Sequence, residues 1–485
     1  MKANIILKDE VNCKVEGLDL NVRRKLQNEF SFMLPYAFHV PAFKLGRWDG
    51  KVNFFSVGGA TYINLLERIL PIVMDAGYEI EIDDRRNDYG TFKFPEISET
   101  HFSEKLWPAG HPIEGEPVVL RDYQVEIINQ FCQNPQCLQE ISTGAGKTLI
   151  TAGLSNIVEA YGRSIVIVPN KDLVLQTEAD YVNLGLDVGV YFGDRKDFGK
   201  THTICTWQSL NVIEKNFKNG KSDMSLEDFA EDVICVIVDE VHQAKGDVLK
   251  KLLTGAFKNI PIRWGLTGTI PKADHEIMTL NTSLGTVVNQ LSAKVLQDRG
   301  VLANCHVNVM QLQETAMYDN YASELTFLTT DSKRLDYMAN LVSDLAKDGN
   351  TLILVDRIKA GEGLLERLPE DTVFIRGAMK STERKEEYDA VSSADGKIIV
   401  ATYGVAAVGI NIPRIFNLVM IEPGKSFVRV IQSIGRGIRK AKDKDSVNIW
   451  DITSSAKFSK KHLTARKKFY KEANYPYTIK KVNYR

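Results

Sequence analysis

Short apolar runs alternate with stretches of helical periodicity between Val118 and about residue 455. Continuous runs that are rich in β-branched residues and bounded by turn residues are typical of parallel strands covered on both faces. The runs form two clusters that divide near residues 290–335, so the sequence predicts two tandem α/β domains with parallel sheets. The clearest runs are SIVIVP at 164–169, VICVIVDE at 233–240, TLILVD at 351–356, KIIVAT at 397–402 and FNLVMIE at 416–422.

The first residues of the chain have a different pattern. Residues 1–95 combine short β-like runs such as KVNFF with an amphipathic stretch, which predicts a small α+β N-terminal domain. Residues 96–117 are rich in proline and show little periodicity, as is typical of a linker. The two α/β domains are then predicted to span 118–295 and 296–455, with 456–485 as a C-terminal tail.

The composition is that of a globular protein, with 44% hydrophobic and 25% charged residues. No run of about 18 apolar residues, the length of a membrane span, is present. The N-terminus reaches charged residues within its first ten positions and lacks the apolar region of a signal peptide. The six cysteines are scattered without a CxxC pair, which is typical of reduced thiols. We therefore expect a cytoplasmic protein.

The formal net charge of −1 conceals a strongly basic C-terminus. Residues 455–485 hold ten Lys or Arg against the single acid Glu472, so the rest of the chain is acidic. Six aromatic residues are interleaved with these cations. Two interpretations stay open: the tail binds a nucleic-acid backbone, or its aromatic residues pack it onto the second α/β domain.

A phosphate-binding turn follows the first predicted strand of the α/β region, as ISTGAGKT at 141–148. Glycines let backbone N–H groups turn toward phosphate oxygens, and the helical pattern that follows would place the phosphates at a helix N-terminus. Lys147 would reach the β- and γ-phosphates, and the Thr148 hydroxyl would hold Mg²⁺. Ile141 stands where the full GxxxxGK[ST] pattern has a glycine. The predicted nucleotide contacts of this turn are Thr143, Gly144, Ala145, Gly146, Lys147 and Thr148.

A carboxylate pair ends the apolar run VICVIVDE. Parallel strands deliver such residues into the crevice at their carboxyl ends, where ligands bind. Asp239 can support Mg²⁺, and Glu240 can polarise the attacking water. The turn and the carboxylate pair, each after a strand run, together predict an ATPase that uses ATP and Mg²⁺.

Two further segments complete the predicted ATP site. LRDYQ offers Tyr123 and Gln124 ahead of the turn, and the Gln124 amide can both donate to and accept from an adenine edge. VIQSIGRGIR places Arg436 and Arg439 three residues apart on one helical face, where they can stabilise a phosphoryl transition state. The catalytic groups would then come from both α/β domains, so that ATP closes a cleft and hydrolysis reopens it.

Between residues 118 and 455 the chain resembles the superfamily-two DExH helicases. The resemblance rests on motifs in the family's order: LRDYQ, STGAGKT, IVPNKDLVLQ, CTWQSL, DEVH, LTGT, TYGVAAVGINIP and QSIGRGIR. It implies two RecA-like domains that bind nucleic acid across their top surface. The fold class is therefore predicted to be α/β, with two tandem RecA-like parallel-sheet domains after the small α+β domain.

The same resemblance implies contacts to the nucleic-acid backbone in both RecA-like domains. In the family's fifth motif an acid usually follows the Gly-hydrophobic pair, whereas this chain has Asn411, which weakens any inference for that position. The matching residues for DNA contact are Pro169, Asn170, Lys171, Thr206, Arg357, Thr402 and Gly404.

Other positions are implied to connect the ATP site with strand binding. Thr267 and Thr269 match the hydroxyls of the third motif, which have this coupling role in the family. His242 and Gln432 match residues that bridge the domains beside the γ-phosphate. Gly409 matches a glycine near the nucleotide.

The N-terminal block narrows the resemblance within this superfamily. AFKLGRWDGKVNFF, with Gly46, Trp48, Asp49 and Gly50, is similar to the small domain that precedes the core in phage UvsW-type branch-migrating helicases. This similarity implies 3′ to 5′ unwinding or branch migration of forked DNA, D-loops, R-loops and junctions in recombination, repair or replication. Single-strand-binding or recombination proteins are the implied partners of a monomeric enzyme.

The basic residues of this block are candidate DNA contacts in their own right. Lys44, Arg47 and Lys51 surround Trp48, and a basic turn with an aromatic ring can hold a backbone and stack on an end base. The alternative is that Trp48 belongs to the core, with Asp49–Gly50 as a hairpin turn.

Other functions use the same core. An RNA helicase or RNA-remodelling ATPase fits the motifs equally, because core contacts go mostly to phosphate and sugar. An ATP-gated clamp would not need the full catalytic set of Glu240, Arg436 and Arg439. A restriction-type translocase would need a nuclease, for which the N-terminal residues leave little room.

Overall fold

The computed structural model describes residues 1–109, 111, 113–241, 246–377, 379, 381–409, 412, 414–426, 430, 433–435, 437, 438, 441 and 443–485. Its contacts divide into two compact units. The first comprises Met1–Glu140 and Gly146–Gln290, and the second comprises Ile141–Ala145 and Leu291–Arg485. Among the described residues, no helix combines the length and the apolar character that crossing a bilayer requires.

The first unit begins with a four-stranded sheet in the order β5-β2-β1-β6, in which β1 pairs antiparallel with β2 and parallel with β6. A separate antiparallel hairpin, β3–β4, lies beside it. The core between sheet and helices is apolar and includes Ile5, Leu26 and Phe54. The strands are β1 (Lys2–Leu7), β2 (Asn12–Glu16), β3 (Ser31–Met33), β4 (Lys51–Asn53), β5 (Ala60–Tyr62) and β6 (Glu79–Asp84). The helices are α1 (Leu20–Glu29), α2 (Pro41–Lys44) and α3 (Leu66–Asp75).

This N-terminal sheet is joined to the rest of the first unit by specific hydrogen bonds. The Glu10 amide donates to the Lys258 carbonyl at 2.9 Å, and the Gln136 side chain donates to the Glu10 carbonyl at 2.9 Å. Asn12 donates to the Thr254 carbonyl at 3.0 Å. These bonds explain why the stretch predicted as a separate domain is grouped with the α/β residues that follow it.

The remainder of the first unit is built on an eight-stranded sheet in the order β10-β9-β11-β8-β12-β13-β7-β14. The pairs from β9 through β7 are parallel, as the continuous apolar runs predict. The strands are β7 (Gln136–Ile141), β8 (Arg163–Val168), β9 (Val188–Phe192), β10 (Arg195–Lys196), β11 (His202–Thr206), β12 (Val233–Val238), β13 (Ile262–Thr267) and β14 (Thr286–Leu291). The helices are α4 (Asp122–Gln133), α5 (Lys147–Val158), α6 (Lys171–Asn183), α7 (Trp207–Lys218), α8 (Leu226–Phe229), α9 (Gly246–Thr254) and α10 (Asp274–Leu284).

The second unit is built on a seven-stranded sheet in the order β17-β18-β16-β19-β20-β15-β21, and its strand pairs are parallel. These sheets confirm the predicted α/β class. The strands are β15 (Asn304–Leu312), β16 (Thr351–Val355), β17 (Val373–Ile375), β18 (Ile398–Thr402), β19 (Asn417–Ile421), β20 (Ser446–Ser454) and β21 (Tyr477–Val482). The helices are α11 (Ala293–Asp298), α12 (Tyr321–Thr330), α13 (Ser332–Ala346), α14 (Ile358–Leu365), α15 (Ser381–Ser392), α16 (Tyr403–Gly409) and α17 (Lys457–Glu472).

The stretch predicted as a basic tail is folded into this second sheet. Helix α17 buries Leu463, Arg466 and Tyr470 on one face, because these residues recur at helical spacing. Strand β21 then pairs in parallel with β15 at the sheet edge. Most lysines of α17 stay exposed on its other faces, so the structure agrees with the packed interpretation of the tail and leaves its positive surface available.

A buried network of charged groups ties α17 to the sheet. Arg466 donates to both oxygens of Asp451, at 2.8 and 2.9 Å. Arg334 donates to Glu314 at 2.8 Å and to Glu422 at 3.1 Å. Burial raises the pKa of Glu422 to about 7, although the nearby Arg334 and Arg466 oppose the shift. The network therefore contains one carboxyl that gains its proton near neutral pH.

The substitution Glu422→Gln is expected to reduce the change in the free energy of unfolding between acidic and neutral pH. The pKa of Glu422 is raised in the folded chain, so the folded chain holds this proton more tightly than the unfolded chain does. The resulting stabilisation is complete below pH 4.5, the ordinary value, and is lost as the pH rises to about 7. Measured by urea unfolding, the free energy of unfolding of the wild-type protein should fall by up to about 3 kcal/mol between pH 5 and pH 7.5. The variant should not show this fall. Exposed Glu370→Gln is the control, and an equal fall in Glu422→Gln would contradict the assignment.

Candidate ATP site and strand-end contacts

The phosphate-binding turn connects β7 to α5, as its sequence predicts. Helix α5 begins at Lys147, immediately after Gly146, whose φ is 81°. The positive φ favours glycine at this point of the turn, where a Cβ would lie 2.5 Å from Nε2 of Gln124. Backbone N–H groups in the first turn of a helix are the donors that phosphate oxygens require, and α5 begins directly after this turn.

Lys147 and Glu240 meet although 93 residues separate them. The Nζ of Lys147 lies 2.7 Å from Oε1 of Glu240, and both side chains are nearly buried. Glu240 has a φ of 51°, a left-handed backbone conformation just beyond the end of β12. Its amide donates to Oδ1 of Asp239 at 2.8 Å. The two carboxylates predicted for Mg²⁺ and water therefore lie beside the phosphate-binding turn.

The LTGT turn contacts the same carboxylate from the other side. The Gly268 amide donates to Oε2 of Glu240 at 3.2 Å. Thr267 Oγ1 donates to the Thr269 carbonyl at 2.9 Å, which closes the turn. Thr269 Oγ1 is buried and has no hydrogen-bond partner among the residues that the structure describes. Glu240 is thus hydrogen-bonded directly to the turn that contains the residues predicted to couple ATP hydrolysis to strand binding.

The residues predicted to read adenine lie at the start of α4. The Gln124 Oε1 accepts from the Arg121 amide at 2.9 Å, while its Nε2 faces Gly146. Tyr123 is buried, and its hydroxyl accepts from Arg121 Nη1 at 2.9 Å. The structure therefore brings Gln124 to the phosphate-binding turn and places Tyr123 in the core.

The predicted backbone contacts of the first unit lie at two adjacent strand ends. Strands β8 and β11 are parallel neighbours, with Val168 opposite Thr206. Asn170 caps α6 by accepting from two backbone amides, and Thr206 caps α7 by accepting from the Ser209 amide. Gln208 donates to the Pro169 carbonyl at 3.3 Å and so links the two loops. Two helix N-termini therefore stand side by side at this edge, with Lys171 in the first turn of α6.

The second unit has a comparable pair of strand ends. Val355 of β16 lies opposite Thr402 of β18, so the residues that follow each strand are neighbours. Arg357 follows β16 and donates to Thr326 Oγ1 at 2.8 Å. Thr402 Oγ1 accepts from the Val405 amide at 3.4 Å at the start of α16. Gly404 lies in the first turn of α16, which ends at Gly409.

Four residues assigned to the catalytic or coupling set are not among the described residues, and neither is Asn411 of motif V. These four residues are His242, Gln432, Arg436 and Arg439. The roles inferred for them from the sequence stay predictions.

In the N-terminal block, Asp49–Gly50 forms a turn that leads into β4, whose partner strand is β3 at Ser31–Met33, so this turn is not the connection between two paired strands that the alternative interpretation predicts. The Lys51 amide donates to Oδ1 of Asp49 at 3.0 Å, and Gly50 has a φ of 78°. Trp48 is half-buried and donates from Nε1 to the Lys51 carbonyl at 3.0 Å. Lys44, Arg47 and Lys51 remain exposed around it.

These features are accompanied by matches to two protein-family models. The model described as type III restriction enzyme, res subunit, matches residues 117–272, and the helicase conserved C-terminal domain matches residues 333–441. Together with the two parallel sheets and the phosphate-binding turn, they identify the chain as an ATP-dependent helicase of superfamily two.

Individual proteins are similar over most of the chain. ATP-dependent DNA helicase uvsW of Enterobacteria phage T4 is 25% identical over 467 residues, which cover 92% of this chain and 89% of that protein. DNA 3′-5′ helicase XPB of Kineococcus radiotolerans is 24% identical over 374 residues, covering 74% of this chain and 64% of that protein. The DNA-bound structure of the type ISP restriction-modification enzyme LlaBIII shares the fold, with a TM-score of 0.59 and 15% identity over 85% of this chain and 34% of that one.

Proposed function

We propose that this helicase acts on DNA, moving 3′ to 5′ and unwinding or branch-migrating forks, D-loops, R-loops and junctions in recombination, repair or replication. The observation that carries the proposal is the extent of the similarity to the T4 DNA helicase. A match over 92% of the chain includes much of the N-terminal domain as well as the two α/β domains. An RNA helicase with the same core is the alternative outcome of the test below.

The proposal includes a complete ATP site. The turn at Gly146, the N-terminus of α5 and the Lys147 cation fit a triphosphate, and Thr148 with Asp239 offers oxygen ligands for Mg²⁺. When bound, Mg²⁺ neutralises charge on the phosphate oxygens. Gln124 would orient the base, and Arg436 and Arg439 would stabilise the transition state, as their motif implies.

The contact between Lys147 and Glu240 gives the site a way to respond to nucleotide. Phosphate oxygens at the turn compete with Glu240 for the Lys147 Nζ. A Glu240 carboxylate released from Lys147 can accept a proton from the attacking water. Because the Gly268 amide binds the same carboxylate, any change at Glu240 reaches the LTGT turn directly.

The proposed DNA contacts lie at the strand ends and on exposed basic surfaces. Backbone amides and hydroxyls at helix N-termini bind phosphates without reading sequence. The N-terminal turn and the exposed face of α17 would add salt-dependent affinity. We propose that the enzyme works as a monomer in the host cytoplasm, with recombination or single-strand-binding proteins as partners. The proposed contacts are Pro169, Asn170, Lys171, Thr206, Arg357, Thr402, Gly404, Lys44, Arg47 and Lys51.

ATPase stimulation by DNA and RNA of matched sequence tests the choice of substrate. We expect DNA single strands to raise the hydrolysis rate and matched RNA to have little effect at equal salt. Duplexes with a 3′ or a 5′ tail then test direction, with unwinding expected only from the 3′ tail. Stimulation by RNA alone would make the RNA helicase the working model.

A further inference from the structure

Residues 31–53 form a small projection of the N-terminal domain that exposes large apolar side chains. The segment comprises the hairpin β3–β4 and the short helix α2 between its strands. Tyr36 is 49% exposed, Phe38 58% and Leu45 65%. Several exposed large apolar side chains within one short segment indicate an interaction site. The motifs of the helicase core do not include this segment.

The exposed rings rest on a rigid base. Phe38 packs edge-on against Phe43 at 5.2 Å between ring centroids, and Phe43 packs against Trp48 at 6.5 Å. Trp48 is itself fixed by its hydrogen bond to the Lys51 carbonyl. A Cβ at Gly50 would lie 2.8 Å from Phe43, so the turn closes tightly beneath the rings. Their presentation therefore costs little conformational entropy on binding.

The charge of the projection selects the kind of partner. Lys44, Arg47 and Lys51 are exposed, and Asp49 is the single acid of residues 31–53. Oδ1 of Asp49 accepts from the Lys51 amide, which holds the carboxylate within the turn. Cations beside exposed aromatic rings are the combination that binds unpaired nucleotides, with phosphates on the cations and bases on the rings.

The projection is attached to the helix that follows the LTGT turn. Strand β3 contacts α10, and Met278 of α10 lies in the N-terminal core. The LTGT turn ends at Thr269, shortly before α10 begins at Asp274. The surface thus belongs to the same compact unit as Lys147 and Glu240.

We propose that the surface formed by Tyr36, Phe38 and Leu45 stacks on unpaired bases beside the branch point and keeps the separated strands apart. This proposal rests on the proposed DNA function and specifies which part of the substrate the N-terminal domain takes. Lys44, Arg47 and Lys51 hold the phosphates of the same nucleotides. Strand separation then depends on this surface, whereas ATP hydrolysis on single strands does not.

The test uses the double variant Tyr36→Ala/Phe38→Ala in the full chain. Stacking is worth about 1–3 kcal/mol per base, so the fork-unwinding rate should fall about tenfold or more. The ATPase rate on single-stranded DNA should stay at the wild-type value. A fluorescent 2-aminopurine at the first unpaired base of a fork should be quenched by wild-type protein and much less by the variant.

Phe217→Ala is the matched control, because Phe217 is an aromatic residue of α7 that is 47% exposed. It should unwind forks and quench 2-aminopurine like wild type, and Phe38→Tyr should retain both properties. Wild-type unwinding and quenching in the double variant would overturn the stacking proposal. An equal loss in Phe217→Ala would overturn it as well. Absence of DNA-stimulated ATPase in the wild-type protein would instead reject the proposed function itself.

Discussion

Lys147→Ala is expected to lower ATP hydrolysis about 100- to 1,000-fold, the range seen when one transition-state donor is removed. Lys147 stands at the first position of α5, directly after the turn proposed to hold the phosphates. The strand-end loops after β8 and β11 do not include this side chain. Salt-sensitive DNA binding should therefore remain close to wild type, and filter binding over a salt series measures it alongside steady-state hydrolysis.

Exposed Lys215→Ala on α7 serves as the control for loss of a lysine, and it should hydrolyse ATP at the wild-type rate. Turnover close to wild type in Lys147→Ala would contradict the assignment of the phosphate-binding turn. Loss of DNA binding together with hydrolysis would show that the two sites are not separable in the way the structure indicates.

Glu240→Gln is expected to reduce kcat about 100- to 10,000-fold, the contribution of a positioned general base. In the wild-type protein the Lys147 Nζ lies 2.7 Å from Oε1 of Glu240. A neutral amide at this position competes less with the phosphates of ATP for the Lys147 Nζ than a carboxylate does, so ATP affinity should not fall. Rapid-quench single turnover measures the chemical step, and a fluorescent ATP analogue measures binding. If the variant still binds ATP but does not hydrolyse it, Glu240 acts as a general base. If Glu240 instead helped to hold the phosphates, ATP binding would be lost as well.

Glu231→Gln, at an exposed position just before β12, controls for loss of a carboxylate near the same strand. If Glu240→Gln keeps its kcat, Glu240 does not activate the water. If instead it loses ATP binding, its contact with Lys147 organises the turn and has no base role.

The parallel sheets could be predicted because strands covered on both faces require continuous apolar residues. VICVIVDE shows this directly: Val233–Val238 is fully buried as β12, and the polar pair follows at its carboxyl end. The phosphate-binding turn could also be predicted from the sequence, since glycine is the residue that readily adopts the positive φ found at Gly146. Local chemistry determines both features, so neighbouring residues reveal them.

Contacts between distant residues could not be predicted in the same way. No spacing rule pairs Lys147 with Glu240, and the Gly268 amide that binds Glu240 carries no side-chain signal. The hydrogen bond from the Glu10 amide to the Lys258 carbonyl, which attaches the N-terminal sheet, is backbone only. Sequence spacing also gave no sign that Arg466 would be buried against Asp451.

Whether this helicase acts on branched DNA can be measured by ATP-dependent strand displacement on matched DNA–DNA and RNA–RNA forks, together with a four-way DNA junction. We expect the wild-type protein to resolve the DNA fork and the junction and to leave the RNA fork intact. Unwinding confined to the RNA fork would contradict this expectation, keep the ATP site as assigned, and make this chain an RNA helicase.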